Sequence, residues 1–153
     1  KSDSISLSEI SEEVICDLVA VADKKNISLI QEDSEARLTG SDTLVYRAIY
    51  NLIENAIKYN KEDGKVSVAI TEDESLAKVI ITDTGSGIAK EDWDKIFEPF
   101  FRIDKSRSRS MGGAGLGLAL VKEIAVRHGG GVNVIESSNK GSSIELSLSK
   151  NNN

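Results

Sequence analysis

The stretch NLIENAIKYN, Asn51 to Asn60, constrains this chain more than any other. At about 100° per residue around a helix, Asn51 set at zero places Asn55 near 40° and Lys58 near −20°. Ile49, Leu52, Ile53, Ala56 and Ile57 gather between roughly 100° and 240°. The apolar stripe must face a core. The opposite side is not the Glu/Lys mixture of a solvated surface, because two amides and one ammonium stack a turn apart and can converge on one ligand.

The chain has 153 residues. A single domain of that size buries roughly 70% of the surface its unfolded chain exposes. Hydrophobic residues make up 39% and charged residues 29%, a globular rather than a disordered composition. The formal net charge is −6, which argues against nonspecific nucleic-acid binding, since that needs clustered Lys and Arg. A single cysteine, Cys16, rules out an intrachain disulfide and fits a reducing compartment. Within the apolar run VICDLVAVA it is expected to be a buried small hydrophobe. No apolar stretch approaches the 18 or so residues of a membrane span, and no signal peptide is visible.

The periodicity predicts the order helix, strand, helix, two strands, loop, helix, two strands. SLSEISEEVICDLVAVADKKN reads as a helix capped by Ser6 or Ser8, with Lys24 and Lys25 at its negative end. ISLIQED alternates like a strand. The second helix runs through GSDTLVYRAIYNLIENAIKYN, capped by Ser41 or Asp42. KVSVAITED and LAKVIITD form a hairpin through EDES. AKEDWDKIF is a short helix, and EPFFRIDKSRSRSMGGAG, lacking periodicity, is a mobile loop. LGLALVKEIAVRHGG is the third long helix. GVNVIESS and SSIELSLSK close the chain around the turn NKG, and residues 151–153 are a frayed tail. The predicted fold class is α+β: a two-layer sandwich with one mixed, mostly antiparallel sheet and three helices on one face.

Three further stretches carry chemistry. In ITDTGSGIA a strand ends at Asp83, followed by Gly85 and Gly87. The carboxylate can accept a hydrogen bond from an amine, and the glycines let a flat ligand approach the backbone. In GGAGLGLAL, Gly113, Gly115 and Gly117 precede or open a helix, whose N-terminus offers free N–H groups to phosphate. The spacing matches neither a P-loop nor a dinucleotide fingerprint. In FEPFFRIDKSRSR, the aromatic residues Phe97, Phe100 and Phe101 are expected to pin the loop's start to the core. Arg102 and Lys105 can reach a phosphate.

Taken in this order, the stretches closely resemble the catalytic and ATP-binding domain of bacterial sensor histidine kinases, a superfamily shared with gyrase, the Hsp90 chaperone and MutL. NLIENAIKYN looks like the family's N box, DTGSGI its G1 box, FEPFFR its F box and GGAGLGLAL its G2 box. The resemblance implies a Bergerat-type fold binding ATP and Mg²⁺. It implies Asn55 as the metal ligand, with Asn51 a turn before it. Lys58 corresponds to a phosphate contact and Tyr59 to a neighbour of the nucleoside. Asp83 corresponds to the adenine-binding aspartate, with Gly85, Gly87 and Ile88 beside the base. Arg102 corresponds to the F-box arginine that approaches the terminal phosphate, and Gly113, Gly115 and Gly117 to the G2 glycines, with Leu116 and Leu118 between and after them.

The resemblance further implies an ATP lid over residues 88–114 and a linker remnant over residues 1–7, reaching from a dimerisation and phosphoacceptor hairpin that the sequence does not contain. The γ-phosphoryl group would pass to a histidine on that hairpin and then to a response regulator. The parent would be a homodimer and a membrane-anchored sensor with this domain cytoplasmic; the piece alone would be monomeric. Ala114 departs from the commoner threonine, at a cost of about 0.5–1.5 kcal/mol in one hydrogen bond. Asn60 replaces a usual Ser or Thr, which is expected to matter little. His128, the only histidine, is expected to finish the third helix rather than accept phosphate. A stand-alone ATPase or anti-sigma-type serine kinase is the alternative. Those relatives generally carry glutamate at the Asn51 position as general base, and an amide cannot take the proton.

Overall fold

The computed structural model describes residues 3–101 and 117–151. Helix α1, Leu7–Asp23, begins where Ser6 Oγ accepts a hydrogen bond from the Glu9 N–H at 3.1 Å. Its buried stripe runs Leu7, Ile10, Val14, Leu18, Ala22, at helical spacing. Helix α2, Asp42–Lys58, is capped by Ser41 and buries Val45, Ala48, Ile49, Leu52, Ile53, Ala56 and Ile57. Helix α3, Gly117–Arg127, buries Val121, Ile124 and Ala125.

The strands are β1 Asp3–Ser6, β2 Ser28–Gln31, β3 Arg37–Gly40, β4 Lys65–Glu72, β5 Leu76–Asp83, β6 Gly131–Ser138 and β7 Gly141–Ser149. Five of them form one sheet in the order β2-β4-β5-β7-β6. Only the β2–β4 pair is parallel, so the sheet is mixed and mostly antiparallel, as expected. Alternate residues point at the helices: Val66, Val68 and Ile70 on β4, Ala77, Val79 and Ile81 on β5, Ile144, Leu146 and Leu148 on β7. α1 packs on β2 and β4, α2 on β4 and β5, α3 on β6 and β7. The core lies between these two layers.

Several expectations are corrected. The predicted element order lacked two strands: residues 3–6, within the stretch 1–7 expected to be a linker remnant, form β1, which pairs antiparallel with β3 and sets Ile5 opposite Leu38, both buried. The two strands pair across α1 and β2 rather than through a local hairpin turn, so neither was foreseen. AKEDWDKIF forms two short 3-10 turns, Lys90–Asp92 and Lys95–Phe97, instead of one helix. Cys16 is exposed, because it lies about 200° round the helix from Val14 and so away from the buried stripe.

Candidate functional site

Asp83 is the last residue of β5 and shares its parity with the buried residues Val79 and Ile81, so its carboxylate turns toward the helical layer. Oδ1 accepts the Gly85 N–H at 2.8 Å, and Oδ2 accepts the Ser142 hydroxyl at 3.0 Å. The β5–β7 register sets these two residues directly opposite one another. A carboxylate offers about four acceptor positions, so capacity remains for an incoming amine. Ser142 was not foreseen as part of this site. Its only sequence signal is its place just after the NKG turn, and the register that brings it to Asp83 is a tertiary fact.

The two glycines here leave room for the chain itself. A Cβ on Gly85 would come within 2.6 Å of the Tyr59 carbonyl oxygen. Gly87 has φ +88° and packs on the Ser138 carbonyl. The N-box helix therefore ends against the glycine turn after β5. Asn60, expected to be of minor weight, makes that junction. It is buried, its Nδ2 donates to the Lys65 carbonyl at 3.0 Å, and its Oδ1 accepts the Thr84 hydroxyl at 2.8 Å and the Lys61 N–H at 2.8 Å. A serine hydroxyl is too short to span these partners.

Along α2, Asn51 and Lys58 are half-buried, as is Asn55 between them, while Tyr59 is exposed. Asn51 Nδ2 donates to the Gly117 carbonyl at 3.3 Å, which brings the start of α3 against the N-box face. Asn55 and Lys58 find no side-chain partner among the described residues. Gly117 is exposed and Leu118 packs against the core. Arg102, Lys105, Gly113, Ala114, Gly115 and Leu116 lie outside the described residues.

The first part of the expected lid is anchored. Ile88 N–H donates to Ser137 Oγ at 2.6 Å, and the Trp93 indole N–H donates to the Ile88 carbonyl at 3.0 Å. Phe97 is buried and Phe101 packs on the core. Phe100 is 68% exposed with φ +67°, so two of the three phenylalanines are anchors and the third is not. A bulky residue at positive φ is strained.

His128 is buried at the end of α3. Nδ1 lies 3.0 Å from the Ile124 carbonyl, and Nε2 accepts the Ser41 N–H at 3.1 Å. The ring is therefore the Nδ1–H tautomer, staples α3 to the cap of α2, and has no free nitrogen to accept phosphate.

Mg²⁺ is compatible with this donor set. Among the described residues no three His, Cys, Asp or Glu side chains form a metal cage. Mg²⁺ commonly takes one protein oxygen, with phosphates and waters completing its shell, and the Asn55 amide oxygen suits that part. Also among the described residues, no helix is long and apolar enough to cross a membrane.

The sequence matches the family described as histidine kinase-, DNA gyrase B-, and HSP90-like ATPase over residues 40–152. It is 37% identical over 147 residues to the sensor-like histidine kinase SenX3 of Mycolicibacterium smegmatis, covering 95% of this chain but 38% of that protein. The fold is similar to the mycobacterial sensor histidine kinase MprB, with a TM-score of 0.86 and 28% identity, covering 97% of this chain and 99% of that one. It is also similar to the histidine kinase ThkA solved in complex with response regulator protein TrrA, with a TM-score of 0.80 and 26% identity, over 97% of this chain and 42% of that one.

Proposed function

The chain belongs to the histidine kinase-, DNA gyrase B-, and HSP90-like ATPase family, and from that premise we propose that it is the ATP-binding half of a histidine autokinase. Asp83 carries the reading: a carboxylate at a strand end, held by Gly85 N–H and Ser142 Oγ, with acceptor capacity for the exocyclic amine of adenine.

The nucleotide lies between this strand end and the α2 face. Asn55 would hold Mg²⁺, which would supply charge neutralisation at the phosphates. Lys58 faces the phosphates as a point charge, with Asn51 a turn before Asn55 and Tyr59 beside the nucleoside. Gly85, Gly87 and Ile88 line the base. Arg102, Lys105, Gly113, Gly115, Leu116, Gly117 and Leu118 are assigned as the remaining nucleotide contacts. The γ-phosphorus is attacked in line by an imidazole nitrogen of a separate hairpin; the P–N bond forms as the bond to ADP breaks. The phosphoryl group then passes to a response regulator. The parent is a homodimeric, membrane-anchored sensor with this domain on the cytoplasmic side. Asn51 cannot act as general base toward water, so hydrolysis is slow.

Calorimetric titration of Mg-ATP into the chain, with the same sample assayed for ADP, tests this. Binding with little turnover is expected, and Asn55→Ala removes the Mg²⁺-dependent part of the affinity. Steady ADP release by the chain alone would move it to the stand-alone ATPase class, and no binding would refute the site.

A further inference from the structure

The last turn of α2 carries Lys58 and Tyr59 and ends against Gly85. Three carbonyls at this helix end, those of Ile57, Lys58 and Asn60, lie within reach of one side chain from another element. Lys25, two residues beyond α1, places Nζ at 3.2 Å from the Ile57 carbonyl, 3.0 Å from that of Lys58 and 2.6 Å from that of Asn60. An ammonium has three donors, and this one spends all three on a single helix end. The charge also faces the negative pole of the α2 dipole. The expectation that Lys25 serves the end of its own helix is therefore corrected: it serves the neighbouring one.

The backbone of Lys25 is fixed in turn. Its carbonyl accepts the Asp63 N–H at 3.0 Å, and the Asn26 amide donates to the Asp63 carboxylate at 2.7 Å. Ser28 N–H donates to the Gly64 carbonyl at 3.1 Å. Asn26 and Asp63 stand at φ 55° and 64°, a conformation that their short polar side chains tolerate better than other non-glycine residues do. The turn after α1 is thereby latched to the turn after α2.

We propose that Lys25 is a positioning residue for the nucleotide. It touches no ligand; it holds the α2 terminal turn so that Lys58 and Tyr59 meet phosphate and nucleoside while Gly85 and Asp83 meet the base. This rests on the nucleotide-site reading given above. Without the ammonium, the Lys58 and Asn60 carbonyls face a part-buried space with no donor and that of Ile57 keeps only backbone N–H partners, and the turn frays into conformations that misplace Lys58.

Mg-ATP affinity of wild type, Lys25→Met, Lys25→Arg and Ser41→Ala, measured by calorimetry well below each melting temperature, tests the role. Lys25→Met is expected to bind about threefold to tenfold more weakly, and Lys25→Arg to recover most of the loss. Ser41→Ala removes the cap at the other end of α2 and is expected to lower the melting temperature without moving affinity. Wild-type affinity in Lys25→Met overturns the role, as does an equal loss in Ser41→Ala, which would make it general helix stability. Should Lys25→Met not fold, Lys25→Gln keeps the stem and a neutral donor. Intermediate affinity there supports the role, and full affinity overturns it. A wild-type chain that binds no Mg-ATP refutes the site reading itself.

Discussion

Replacing Asp83 with Asn separates recognition of adenine from folding. The amide oxygen can still accept the Gly85 N–H, which lies at 2.8 Å from Oδ1. The Nδ2 group then takes the place of Oδ2, and the Ser142 hydroxyl, 3.0 Å away, can rotate from donor to acceptor. Both internal bonds survive in altered form, so stability should fall by no more than about 1 kcal/mol. An incoming exocyclic amine fares differently, because the atom that accepted its proton has become a donor. A hydrogen bond to a charged group contributes about 1.5–3 kcal/mol, equivalent to about tenfold to 150-fold in affinity. Titration of Mg-ATP and Mg-ITP into both proteins, with thermal melts as controls, reads the effect. ITP carries a carbonyl in place of the amine. The wild type should prefer ATP by about that factor, and Asp83→Asn should lose the preference. Equal affinity of the variant and wild type for ATP, or no wild-type preference over ITP, would refute the argument.

Two other perturbations act on the fold. His128→Ala removes the acceptor of the Ser41 N–H and the partner of the Ile124 carbonyl inside the core; it should cost about 2–4 kcal/mol by urea denaturation and leave Mg-ATP affinity unchanged. At Glu35 burial favours the neutral acid, but hydrogen bonds from Ser6 Oγ and the Ser8 and Ala36 N–H groups, with Arg37 nearby, outweigh it and hold the carboxyl below its ordinary value. A depressed carboxyl pKa adds stability above the unfolded value, which is lost as pH falls through the folded one. The melting temperature of wild type should therefore decline below about pH 4.5 more steeply than that of Glu35→Gln; parallel acid limbs would contradict this.

Local patterns in the chain were legible because they need no partner. The α2 stripe from Val45 to Ile57 shows itself through helical period alone, and Ser41 announces the cap. The hairpins around EDES and NKG follow from alternation and turn residues. Exposure within α1 was not legible. VICDLVAVA is apolar nearly all round, and only the sheet decides that Val14 and Leu18 go inside while Val19 and Cys16 stay out. The same limit explains Phe100, which stands between the buried Phe97 and the partly buried Phe101 and is itself exposed to solvent.

The amino-acid sequence by itself determined the fold class and marked the candidate side chains, since periodicity, caps and motif order are properties of short stretches. Tertiary structure decided which groups meet. The β5–β7 register puts Ser142 on Asp83, packing puts Asn51 on Gly117, and the turn latch puts Lys25 behind Lys58. Each of these contacts spans more than 30 residues of chain. Their geometry is set by sheet register and helix packing, which depend on the summed burial of the whole core rather than on any local run of residues.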